Sequence, residues 1–242
     1  MLGIGQISKR IAELIRGTLP FAIVDNGTYS DGNARGQSFF SKIVSYPTIT
    51  EADNAGHRII IVRDGKYPGV TISNNHRLII GSRQARIEGE DNAKPFDAAG
   101  KTHITIIGLY IEGVQGGSNG YNNVYLGSDA VMIGTEIGPS DSYGVQLAGT
   151  SYMAFCRITG PTDGWGVNVN GNATVLIGNT FAAYGFYIQT SAYVAMIGNI
   201  LTASINSMQS DSGGQNSIFA DNIYNGTITN NGSTTLADNV SY

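Results

Sequence analysis

The stretch VLIGNTFAAYGFYIQTSAYVAMIGN, residues 175–199, holds two copies of one phrase and the chain that joins them. VLIGN closes at Asn179 and AMIGN at Asn199, each an apolar run ended by Gly-Asn. Working outward, the phrase returns as LIIG ending at Gly81, TIIG at Gly108, VMIG at Gly134, IFADN at Asn222 and TTLADN at Asn239. MAFC, ending at Cys156, fills the remaining slot and puts Cys156 where other units carry glycine. From Gly81 to Gly198 the steps are 27, 26, 22, 22 and 20 residues. A unit this short has no core of its own, so neighbouring units must stack.

Between the phrases lies a second strand signal after an aromatic–Gly step: GYNNVYLGS, SYGVQLAGT, GWGVNVNGN and YGFYIQTSA. Val145 and Leu147, Val167 and Val169, Phe186 and Ile188 share one side; Gln146, Asn168 and Tyr187 share the other. Strands without helices at this period predict one coil of a parallel β-helix per unit. The leucine-rich frame LxxLxLxxN is absent. Composition agrees: 33 glycines and only 13% charged residues suit an all-β chain with many tight turns.

The chain divides at about residue 50 on this reading: residues 1–49 as an N-terminal helix and attachment arm, 50–242 as the β-helix. Ser8 caps a short helix that Gly17 ends, with Ile11, Leu14 and Ile15 on one face. Residues 25–47 read as an irregular polar connection. The coil stack opens with a short helical turn near Thr50 and a strand at Arg58–Val62.

The phrases IGNTFAAYGFYIQTSAYVAMIGN and SIFADNIYNGTITNNGSTTLADN resemble repeats of the pectate-lyase-like superfamily. The stretch HRIIIVRDGKYPGVTIS resembles the opening coil of such helices in phage tailspikes and polysaccharide lyases. The resemblance covers about residues 50–242. It implies a right-handed parallel β-helix with an asparagine ladder at Asn179, Asn199, Asn222 and Asn239. It leaves function open, because this scaffold carries many functions. The paired-aspartate and Gly-His-Gly phrases of polygalacturonase-like members are missing.

Stacking places equivalent residues side by side, about 4.8 Å apart. Two adjacent apolar columns follow from the phrase. One runs Ile79, Ile106, Met132, Ala154, Leu176, Met196; the other runs Ile80, Ile107, Ile133, Phe155, Ile177, Ile197. Neighbours along a strand face opposite ways, so one column lies outside. A wet apolar stripe of that length predicts a covered surface, and the Ile80 column is the expected oligomer interface.

A second set is aromatic and polar. Tyr143, Trp165 and Tyr184 each precede a glycine, beside Gln146, Asn168 and Tyr187. Ring faces and planar amides suit sugars, which stack through their apolar side and hydrogen-bond through hydroxyls. Asp141 and Asp163 lie two residues earlier in consecutive coils. A retaining glycosidase pair needs carboxylates about 5–5.5 Å apart, which stacked coils supply. Aspartate before a glycine turn is also common for conformational reasons. Glu88 and Glu112 form a weaker stacked acid pair. His76, His103 and Asp129 share a column too spread to converge on a metal. No metal and no cofactor are expected.

Net charge of −4, with 14 basic against 18 acidic residues, argues against a nucleic-acid partner. No run reaches the ~20 apolar residues of a membrane span. Residues 1–17 lack an uninterrupted apolar core, so no secretory signal is expected. The expected function is that of a phage virion structural or adhesion protein: a short tailspike, tail fibre or capsid-decorating spike. It would be a homotrimer, bound to other virion proteins through residues 1–45 and touching surface polysaccharide. The alternatives are a polysaccharide depolymerase, hydrolase or lyase, and a free carbohydrate-binding adhesin.

Overall fold

The computed structural model describes residues 21–25, 45–90, 93–113, 122–139, 143–159, 165–171, 173–182, 186–188, 193–202, 208–210, 215–225, 227–230 and 233–241. They form a parallel β-solenoid. Each coil lays one strand in each of three sheets, as Ala130–Ile133, Glu136–Ile137 and Val145–Leu147 do in turn. The first, second and third sheets hold 11, 9 and 8 strands.

Alternation decides what is inside. In the first sheet, Ile79, Ile106, Met132, Met153, Leu176, Met196 and Phe219 line up and are fully buried. The third sheet adds Val145 and Leu147, Val167 and Val169, Phe186 and Ile188. Burying one such side chain stabilises by about 1.5–3 kcal/mol, so the core is the principal source of stability.

The bend from the first to the second sheet needs a left-handed residue. Gly134, Gly178 and Gly198 hold it with φ of 59°, 61° and 62°. Glycine takes this conformation without a Cβ clash. The next residue points inward and carries the ladder. Asn179 Nδ2 donates to the Met153 carbonyl at 3.0 Å, and Asn199 Oδ1 accepts from the Asn179 main-chain N–H at 2.8 Å. Asn199 and Asn222 repeat the pattern, and Asn239 receives its last bonds. Buried amides thus satisfy main-chain groups that the bend leaves outside the sheet pattern.

Two sequence expectations need correction. The MAFC unit is shifted by one residue. Met153 pairs with Met132 and Leu176, and Ala154 with Ile133 and Ile177. Phe155 therefore leaves the outer column and takes the left-handed position, with φ of 55°. Cys156 takes the asparagine slot, where its N–H donates to Asn179 Oδ1 at 2.9 Å. A small thiol fits that buried slot and a phenyl ring does not. The other register would have turned Met153 out to water.

The stack also starts before residue 50. Phe21–Val24 pairs with Ile59–Val62, and Ser45–Tyr46 pairs with Phe21–Val24. Residues 8–17, the expected helix, lie outside the described residues. The helical turn near Thr50 is Ile49–Asn54, capped by the Thr48 side chain. Its Ile49 and Ala52 enter the core at the N-terminal end. Asp53, wholly buried, binds Arg77 and accepts from the Ser73 N–H at 2.6 Å. Among the described residues no helix is long and apolar enough to cross a membrane.

Candidate functional site: the outer faces of the solenoid

The outer side of the first sheet carries two columns. Ile80, Ile107, Ile133, Ala154, Ile177 and Ile197 form one. Ile59, Leu78, Thr105, Val131, Tyr152, Val175, Ala195 and Ile218 form the other. Neither column has a charged residue. Ile61, Ile197 and Ile218 are 38%, 37% and 47% exposed. The apolar surface rounds the corner at the C-terminal coils, where Ile200 and Ile223 of the second sheet are also exposed. The second column escaped the sequence reading, because strand-start positions vary from Thr to Tyr and carry no repeated residue.

The outer side of the third sheet carries the expected polar column. Asp97, Tyr125, Gln146, Asn168 and Tyr187 lie in register. Asp97 and Tyr125 are additions to the sequence reading, which grouped GYNNVYLGS with SYGVQLAGT but left Tyr125 out of the outward column. Lys94 sits 4.6 Å from the centre of the Tyr125 ring and 3.2 Å from an Asp97 carboxylate oxygen. Asn122 donates to Gln146 Oε1. Asn168 is only 2% exposed, although its two strand neighbours fill the core side.

Tyr143 and Trp165 occupy equivalent positions: the Tyr143 carbonyl accepts from Asn123 N–H, and the Trp165 carbonyl from Gly144 N–H. The Trp165 ring is half-buried and stacks on Tyr187 of the next coil, with centroids 5.3 Å apart and planes at 18°. Asp141, Asp163 and Tyr184 lie outside the described residues, so the acid pair gains no geometry. What this face offers is a stacked indole–phenol ledge with amide and phenol groups beside it, the chemistry that suits a pyranose ring.

Over its N-terminal coils, the second sheet's outer side is charged. Glu88 and Glu112 are in register, as expected from RIEG and YIEG. Basic residues answer them: Lys66 reaches Glu88 at 2.9 Å and Arg86 reaches Glu112 at 2.7 Å. Arg157 and Arg83 flank Glu136 at 3.6 and 3.7 Å. The Arg86 guanidinium also lies 4.5 Å from the Tyr110 ring centre. The hydrogen bond to Glu112 raises the Arg86 pKa, and burial followed by Glu112 raises that of Tyr110.

Two further candidates resolve into structural roles. His76, His103 and Asp129 all adopt left-handed backbone, with φ of 57°, 58° and 55°, and the two imidazoles stack at 4.4 Å. No group of three or more metal-binding side chains occurs among the described residues. Cys156 is 1% exposed, and burial pushes its thiol up to about 12. It is a poor nucleophile, because the thiolate is the reactive form.

Comparison with protein-family models, with curated proteins and with solved structures finds no match to this chain.

Proposed function

We propose that this chain is a non-enzymatic structural and adhesion protein of the kind phage virions display as short spikes or fibres. It assembles with identical copies through the outer face of the first sheet and touches surface glycans through the third. The observation that carries this reading is the uncharged double column over the nine first-sheet strands from Ile59–Val62 to Ser233–Ala237. Nine strands about 4.8 Å apart and about 13 Å long present roughly 600 Å² per copy. Two copies then bury roughly 1,200 Å², the lower end of a stable specific interface. The face is apolar enough that leaving it in water is costly.

Exposed aliphatics on both sides of the first corner support more than a pair. Ile197 and Ile218 lie on one side of it, Ile200 and Ile223 on the other. A copy that is apolar on both sides of one edge meets two neighbours, which closes a ring. The assembly is a homotrimer. Light scattering and native mass measurement test this directly, with three copies expected. A chain that stays monomeric at high concentration removes the reading. Release of reducing ends or unsaturated sugars from capsular polysaccharide would replace it with a depolymerase.

A further inference from the structure

The first corner of the solenoid has one residue that breaks its own rule. Gly108, Gly134, Gly178 and Gly198 take the left-handed position there, and Asp221 and Asp238 take it near the C-terminus. Asp is a short polar residue that tolerates this backbone; a bulky aromatic is an outlier. Phe155 holds it at φ of 55°.

The ring gains little from the interior. Phe155 is 63% exposed, more than any other large hydrophobic residue among the described residues, while Cys156 beside it is buried. The ring lies across the corner of the next coil. A Cβ on Gly178 would stand 2.9 Å from Phe155 Cε1 and 3.0 Å from Cδ1. The chain thus keeps a strained backbone, an aromatic ring in water and a bare glycine beneath it. Strain retained without a return inside the fold points to a role at a surface.

The surroundings choose the kind of partner. On the adjoining strands the outward residues are Ile133 and Ile177, with Ile197 one coil further. Aliphatic groups offer nothing to sugar hydroxyls, so the ring belongs with a protein surface. We propose that Phe155 anchors the contact between copies, its ring packing into the apolar first-sheet face of a neighbouring copy. This rests on the assembly reading above. Protruding aromatics surrounded by smaller apolar contacts are where interface energy concentrates.

The test sets two effects of opposite sign against each other. Phe155→Gly restores the residue the corner prefers, so the isolated copy becomes harder to unfold, while association weakens at least tenfold. Phe155→Asn, which also tolerates the left-handed backbone, shifts both readouts the same way. Stability is read by urea denaturation in an Ile177→Lys background, where copies are separated; association is read by sedimentation in the otherwise native chain. Unchanged association in Phe155→Gly overturns the anchor, as does a lower unfolding midpoint. If Ile177→Lys weakens association and Phe155→Gly does not, only the anchor falls. A wild-type monomer sinks both readings. Loss of polysaccharide binding by Phe155→Gly with association intact assigns the ring to sugar and overturns the proposal.

Discussion

The outer faces of the first and second sheets flank the same corner and share one core, yet over the N-terminal coils they are chemically opposite. The first carries Ile80, Ile107, Ile133 and Ala154 without a charge. The second, over the same coils, carries Arg86, Glu112, Glu136 and Arg157 in close pairs. Exposed ion pairs contribute only about 0–1 kcal/mol each, so the charged face is not there for stability. It keeps one side of the solenoid wet, while the other presents aliphatic side chains. Inward residues hold the coil; outward residues are free to be assigned to separate tasks.

The largest expected effect breaks what the two faces share. Asn199 is fully buried, accepts from Asn179 N–H and donates to the Leu176 carbonyl. Asn199→Ala leaves both groups unmatched, at about 1–3 kcal/mol each, so denaturant unfolding should show a loss of roughly 3–4 kcal/mol. A loss below about 1 kcal/mol would mean that water replaces the amide and that the ladder is incidental.

Next comes the contrast itself. Ile133→Lys with Ile177→Lys should weaken self-association about a hundredfold, near 2.7 kcal/mol, with the fold intact by circular dichroism. Arg86→Ile, the reverse change on the second sheet, should leave association where it was. Equal effects from the two faces would erase the distinction drawn here.

The corner offers a smaller, stabilising change. Cys156→Asn extends the ladder by one coil, placing an amide near the Met132 carbonyl that the thiol approaches at 3.6 Å. A gain of about 1 kcal/mol is expected for one added buried hydrogen bond. The native thiol also sets a pH signature. The unfolded thiol ionises near its ordinary 9.0, whereas burial holds the folded one to about 12. Across that window the unfolded state binds fewer protons, so stability falls as pH rises. Cys156→Asn should lose that part of the alkaline slope, and an unchanged slope would assign it to tyrosines instead. The smallest effect is Arg86→Ala, expected within about 1 kcal/mol of wild type in thermal unfolding.

Much of this was legible before any coordinates. The period of the Gly-Asn phrase implied stacked coils, and strict alternation in Val145–Gln146–Leu147 implied which residues face out. The failures have physical reasons. MAFC contains neither glycine nor asparagine, so nothing local marks whether phenylalanine or cysteine turns the corner. Phe21–Val24 carries no corner residue, so the first strand of the stack gave no sign of belonging to it. The stacking of Trp165 on Tyr187 joins different coils, and spacing along the chain does not encode the direction of a ring.

By itself, then, the amino-acid order determined a coiled all-β body, its repeat, its ladder of asparagines and the existence of an outer apolar column. These are properties of near neighbours and of period, and short-range sterics enforce them. Only the tertiary structure decided the register of residues 153–156, the strain at Phe155, the charge pairing across Arg86 and Glu112, and the width of the apolar face. Those depend on which coil lies against which. That is settled when side chains from positions twenty or more residues apart compete for the same buried space.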